Sequence, residues 1–309
     1  MSEGRYSKEL MAHASWLYHE EGMTGEEIGR VIRVSRQTVG RILQEAQRAG
    51  IVRTFVDTRY LPSKGLADLL AHRYRLAAAV VVPPVSGSGA LNDRLAKAAA
   101  DVLMRSMIRP GVSVAIGWGQ VVLKTLLALD ATAVRGVQFV SAAGGIDSYI
   151  AELARKESNG VSRVLELIQA PLRVSTAAVA ETLRQEPVVE GALRRARECD
   201  VLLTGIGSAE PGSRLESLGL YTAEEFSWAR EQGAVGDMLG EWFTSTGAPL
   251  SEPSAGRKVG LPISELKRMN RVVGVAGGPD KVAAIRGALV GGFLGTLVTD
   301  EDTAQALIT

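Results

Sequence analysis

Between Arg30 and Arg53 six arginines stand against a single acid, Glu45. A guanidinium is a planar fork of donors that matches the paired acceptors of a guanine edge and the oxygens of a phosphate. Within this stretch Ser35-Arg36-Gln37-Thr38 comes first on an amphipathic run and Arg41 follows on the same polar face. Arg36, Gln37, Thr38 and Arg41 are therefore candidates for contact with base edges, with Ser35 beside them in the DNA-binding set. Arg30, Arg33 and Arg53 are candidates for neutralising phosphates. A single arginine would read as a solvated surface charge; six at these spacings point to a nucleic-acid footprint. The net charge of +1 makes any such footprint local.

A second group of residues could cradle a small polar molecule. Four glycine-containing loops follow short apolar runs: Gly117-Trp118-Gly119-Gln120, Ala143-Gly144-Gly145-Ile146-Asp147-Ser148, Gly205-Ile206-Gly207-Ser208 and Gly277-Gly278-Pro279-Asp280-Lys281. Glycine lets main-chain amides approach an anion, and a helix start adds partial positive charge. Any one pair could equally serve a tight turn; four at one sheet edge favour a ligand site. Lys281 could reach a phosphate or carboxylate. Asp237 could accept hydrogen bonds from sugar hydroxyls, or simply cap a helix. Gln120, Ser148, Asp147 and Ser208 are further polar candidates, and Trp118 either lines the pocket or fills the core.

The elements that must hold these groups can be read from local signals. Thr24 with Glu27 forms a capping box, so a helix starts there. Ile28 and Ile32 give it an apolar stripe, and Gly29 is small enough for a close helix crossing. Ser35 is a second N-cap, with Val39, Ile42, Leu43 and Ala46 on one face. An earlier helix over 7–21 carries Leu10, Ala14 and Leu17. The arrangement is a helix-turn-helix, which pushes the start of its second helix into a major groove. The turn position that usually holds a left-handed glycine is Arg33, a cost of roughly 1 kcal/mol if the backbone is kept. A strand over 51–56 reads as a wing. The polar, proline-containing stretch 57–64 suggests two domains, 1–57 and 58–309.

Beyond it, short apolar strands alternate with amphipathic helices. Strands are expected at 80–82, 112–116, 137–140, 164–168, 201–204, 272–275 and 297–299. Helices are expected at 65–74, 91–107, 121–129, 177–183, 188–197, 281–290 and 302–307. The fold class is α/β, a mostly parallel sheet covered by helices on both faces. Ligands of such sheets bind beyond the carboxyl ends of the strands.

Composition closes off other chemistries. Histidine occurs three times (His13, His19, His72), all early, which argues against a His-ligated metal or a Ser-His-Asp triad in the larger domain. Cys199 is the one cysteine and reads as an inert core thiol; disulfides within the chain are excluded and a reducing cytoplasm fits. The polar start MSEGRYSKEL is unlike a signal peptide, and no apolar run reaches the length of a membrane span. No cofactor is expected.

Several segments, in order, resemble the SorC family of bacterial transcription regulators: SRQTVGRILQEAQRAGIV, AIGWGQ, LLTGIGS, GAVGDMLGEWF and AGGPDKVAAIRGALVGGFLGTLVTDEDTA. The resemblance spans nearly the whole chain. It implies a winged helix-turn-helix joined to an effector domain akin to DeoR-type sugar regulators and to sugar-phosphate isomerases and deaminases. It further implies a sugar phosphate or related polyol as effector, control of carbohydrate genes through double-stranded operator DNA, and homodimers or homotetramers. Carried over by position, the pocket would include Gly117, Gly119, Gly145, Gly207, Asp237 and Lys281. The helix after GWG opens with Gln120-Val121 where the family commonly offers a hydroxyl. The loop SAAGGIDS lacks a lysine for a Schiff base to a sugar aldehyde. The alternative expectation is an enzyme on the same sugar-phosphate fold, with Asp237 as general base and Lys281 as anion clamp.

Overall fold

The computed structural model describes residues 6–52, 62–85, 87–156, 159–250 and 256–309. The chain divides into two compact units, Met1–Asp57 and Thr58–Thr309.

Among its described residues the first unit holds three helices, α1 (Lys8–His19), α2 (Gly25–Ile32) and α3 (Arg36–Arg48). The sequence signals act where they stand. Thr24 Oγ1 accepts from the Glu27 amide, while Glu27 accepts from the Thr24 amide at 2.8 Å, closing the capping box. Ser35 caps α3 by accepting from the Thr38 amide at 3.2 Å. Met11, Ala14, Leu17, Ile28, Val39, Ile42 and Ala46 form the buried core. A Cβ on Gly29 would sit 2.6 Å from the Val34 carbonyl oxygen, so only glycine lets the turn pass this close. Arg33 keeps the left-handed turn, with φ 56° and ψ 47°, despite its side chain. The expected wing falls at 51–56, of which 53–56 lie outside the described residues; Arg53 lies there too.

Among the described residues the second unit holds ten strands: β1 (Ala78–Val82), β2 (Ser113–Ile116), β3 (Gln138–Ser141), β4 (Leu165–Glu166), β5 (Val201–Gly205), β6 (Gly207–Ser208), β7 (Ala234–Met238), β8 (Glu241–Thr244), β9 (Val272–Val275) and β10 (Thr296–Asp300). Seven of them make one parallel sheet in the order β1-β10-β9-β5-β2-β3-β4. Side chains alternate between two cores, one per face. Leu202 and Ala115 feed one, while Val201, Leu203, Val114 and Ile116 feed the other. This explains why the strands read as continuous apolar runs.

Three local expectations are corrected. The apolar run at 164–168 yields a short helix Val161–Val164 and only two strand residues, Leu165–Glu166. The helix expected over 91–107 ends as Ser88–Val102 and continues as a π-helical turn Leu103–Met107. Ser106 bonds back to the Val102 carbonyl there at 2.8 Å, which accounts for the broken stripe. The segment around Asp237, for which a helix cap is one reading, is instead strand β7, pairing antiparallel with β6 and β8 in a small second sheet.

Candidate functional site

The site is built where the chain changes direction in the sheet. From β2 the strands are added through β3 to β4 on one side; from β5 they are added through β9 to β10 on the other. The β2 and β5 ends therefore diverge, and a crevice opens beyond them. A cavity of about 220 Å³ occupies it, lined by Trp118, Gly119, Gln120 and Val121 after β2 and by Gly205, Ile206 and Gly207 after β5. Lys281 and Asp237 complete its polar wall, with Asn92 beside them.

Asp237 is buried. Its neighbour across the small sheet is Gly207, where a Cβ would lie 1.9 Å from the Asp237 Oδ1; glycine is required for the carboxylate to fit. Burial pushes this carboxyl up to about 7, against the opposing pull of Lys281, the Gly240 amide and Lys258. Burial likewise pushes Lys281 down, countered by Asp280 and Asp237. Both groups thus sit desolvated on the cavity wall, the setting in which perturbed carboxylates and amines mark functional sites.

The strand bearing Asp237 is firmly placed. Leu239-Gly240 is a two-residue turn joining β7 to β8, with φ 52° and 74°, the left-handed pair of a tight hairpin. Leucine in that conformation costs roughly 1–2 kcal/mol, and its side chain lines the cavity. Beyond the turn, Glu241 is held by Lys258 at 2.7 Å and accepts the Ile263 amide at 2.9 Å.

At the other wall the helix Gln120–Ala128 starts at Gly119. Its first-turn amides have no carbonyl one turn back and are available to an anion. Trp118 donates from Nε1 to the carbonyls of Ala143 and Gly144, at 3.1 and 2.7 Å, and its ring stacks on Tyr149. It both lines the cavity and ties the β2 loop to the β3 loop.

Of the effector residues expected from sequence, Trp118, Gly119, Gln120, Gly207, Asp237 and Lys281 converge on the cavity. Six others lie off it. Gly117 is packed against Thr204 and Leu239, and its amide donates to Leu203. The Gly144 amide donates to Val259 and the Gly145 amide to Ala170, so neither is free for an anion. Asp147 and Ser148 are exposed at the start of the helix Asp147–Lys156. Ser208 is buried and accepts the Glu210 amide at 3.1 Å. Conversely Tyr149, Ile146, Leu172, Leu215 and Leu239 make an apolar wall that sequence reasoning missed. In a sequence such residues look like ordinary core.

On the N-terminal unit, Arg30, Arg33, Ser35, Arg36, Gln37 and Arg41 are all exposed. Thr38 is half-buried, with its Oγ1 2.9 Å from Ser35 Oγ. Its hydroxyl is engaged with the helix cap. Cys199 is buried and its thiol is pushed up to about 11 by burial, the state of an inert core cysteine. Among the described residues no cluster of three His, Cys, Asp or Glu side chains is arranged to hold a metal, and no helix is long and apolar enough to cross a membrane.

A helix-turn-helix unit and a parallel α/β unit with a polar crevice at its switch point together define a ligand-responsive transcriptional regulator. The comparisons agree. The family model "Putative sugar-binding domain" matches residues 59–309. The transcriptional regulator LsrR of Klebsiella pneumoniae is 32% identical over 317 residues, covering 99% of this chain and 96% of that protein. LsrR of Escherichia coli K12 is likewise 32% identical, over 310 residues. The full-length sorbitol operon regulator SorC of Klebsiella pneumoniae superposes with a TM-score of 0.76 at 22% identity, covering 99% of this chain and 100% of that one, a likeness of fold. The sugar-binding domain of a Vibrio fischeri transcriptional repressor matches with a TM-score of 0.70 at 28% identity, covering 80% and 98%. The chain belongs to the SorC family of transcriptional regulators, with the sugar-binding domain of that family, and the enzyme reading is set aside.

Proposed function

We propose that the chain binds double-stranded operator DNA through its first 57 residues and senses a small carbohydrate, a sugar phosphate or related polyol, through residues 58–309. The observation that carries the second half is the switch-point cavity with Asp237, Lys281 and the start of the helix Gln120–Ala128 on its walls. An anionic group of the effector would sit at the first-turn amides around Gly119 and Gln120, with Lys281 adding charge. Effector hydroxyls would donate to Asp237, and the rigid Trp118–Tyr149 wall would take the carbon skeleton.

In the first half, Arg36, Gln37 and Arg41 read base edges. Arg30, Arg33 and Arg53 hold phosphates, with Ser35 setting the start of α3. The protein acts in the cytoplasm as a homodimer or homotetramer, so that two recognition helices meet successive grooves. The effector changes DNA binding through unequal affinity for two arrangements of the assembly.

The test is a thermal-shift screen of the purified protein against sugar phosphates and free polyols. A true effector at a hundred times its dissociation constant stabilises by about 2.7 kcal/mol and raises the melting point. Lys281→Ala should abolish the response to phosphorylated ligands. A ligand that shifts the wild type and the Lys281→Ala variant equally would remove Lys281 from the site. For the DNA half, Arg41→Ala should weaken operator binding in a gel-shift titration by roughly 1–3 kcal/mol.

A further inference from the structure

Two helices of the larger unit carry apolar side chains into solvent. Leu69, on the helix Lys64–Tyr74, is 55% exposed, and Val290, ending the helix Val282–Val290, is 56% exposed. Single exposed apolar residues are ordinary, but these two border one feature. Val290 lines a shallow depression of about 400 Å³ together with Arg73, Arg75 and Arg286. Leu69 stands one helical turn from Arg73, and Val290 one turn from Arg286.

The basic groups at this depression are held in place. Arg286 donates to the carbonyls of Ala306 and Leu307, at 2.6 and 3.3 Å, and Arg73 donates to that of Ile308. Tyr74 Oη donates to Leu307 at 2.9 Å. These bonds tie the side chains to the last turn of the helix Glu301–Ile308. The positive charge is therefore presented in a fixed position.

The outward stripe of the helix Lys64–Tyr74 reads Gly65, Asp68, Leu69, His72, Arg73. It is small and acidic at one end, apolar in the middle and basic at the other. A two-fold axis through Leu69 turns this stripe onto its own complement. Leu69 would meet Leu69, and Arg73 would lie over the bare Gly65 within reach of Asp68. Asp68 pairs with Lys64 on its own helix, an exposed pair of small worth that can be exchanged. Surfaces that are complementary to themselves in this way form two-fold dimers.

We infer that this face receives a second copy of the chain, the helix Lys64–Tyr74 packing antiparallel on its mate about Leu69, with Val290 and the fixed arginines at the rim. The inference rests on the self-association proposed above and names its surface.

Cys199 is the natural cysteine of the chain and is buried, so an introduced thiol reports cleanly. Under mild oxidation L69C should form a disulfide-linked dimer on a non-reducing gel. V188C, at an exposed site on another helix, should stay monomeric on the same gel. Leu69→Glu should shift sedimentation toward a smaller species while leaving the circular dichroism spectrum unchanged. If L69C fails to cross-link and Leu69→Glu sediments like a dimeric wild type, this face is not the interface, and self-association stands on another surface. If the wild type sediments as a monomer at every concentration, both the interface and the proposed self-association fall.

Discussion

The buried carboxyl of Asp237 makes a quantitative prediction. Its shift from the ordinary 3.8 to about 7 corresponds to roughly 4 kcal/mol by which the fold prefers the neutral acid. The sign follows from proton counting. Between pH 4 and 7 the folded chain holds a proton on Asp237 that the unfolded chain has lost, so this contribution to stability falls as pH rises. Above pH 7 the full cost is present; below pH 4 it is absent. Lys281 and Lys258, both pushed down by burial, act with the opposite sign.

Asp237→Asn keeps the shape and removes the charge. At pH 8 the ligand-free variant should exceed the wild type by about 2–4 kcal/mol; the lower figure allows for imperfect accommodation of the amide. At pH 5 the gap should shrink to about 2 kcal/mol or less, within ordinary substitution effects. Urea unfolding followed by circular dichroism at both pH values reads this directly. The same variant should lose effector affinity, exchanging function for stability. A gap that is equal at the two pH values, or a variant less stable at pH 8, would refute the reasoning, because then desolvation would not dominate at Asp237.

Other substitutions probe separate links. Gly29→Ala places a methyl 2.6 Å from the Val34 carbonyl; the strain should cost roughly 1–3 kcal/mol and weaken operator binding while the thermal response to effector persists. Arg33→Gly relieves a left-handed arginine and should raise the melting point of an isolated 1–57 fragment if that fragment folds, the gain being below about 1 kcal/mol after the entropy of the unfolded glycine. In the full chain the same change should lower operator affinity, seen by gel shift. Trp118→Phe deletes the two bonds to Ala143 and Gly144 and should weaken effector binding in calorimetry by roughly 1–3 kcal/mol.

What could be read from the sequence was what is fixed locally. Thr24 with Glu27, and Ser35 with Thr38, satisfy amides three residues away, so the letters carry the geometry. The loops at Gly119 and Gly207 were legible because each follows a strand of the parallel sheet. The engagement of the Gly144 and Gly145 amides could not be read, because their acceptors, Val259 and Ala170, stand far along the chain. The β7–β8 hairpin was hidden because its turn is Leu239-Gly240 rather than the asparagine or aspartate with glycine that usually marks such turns. Without that hairpin, Asp237 could be nominated by type but not placed opposite Gly207. The apolar wall was unreadable in principle: Tyr149 and Leu172 bury as core residues do, and only the cavity distinguishes them.

Trp118 gives the molecule an optical consequence. Its indole is pinned by two carbonyls and forms part of the crevice wall, whereas Trp242 is sealed in a separate apolar cluster and Trp16 stands in solvent on α1. Trp228 packs against the Trp242 cluster, so of the four tryptophans Trp118 is the one on the crevice wall. Filling the crevice alters the surroundings of that emitter, and occupancy can be followed by intrinsic fluorescence with no dye attached.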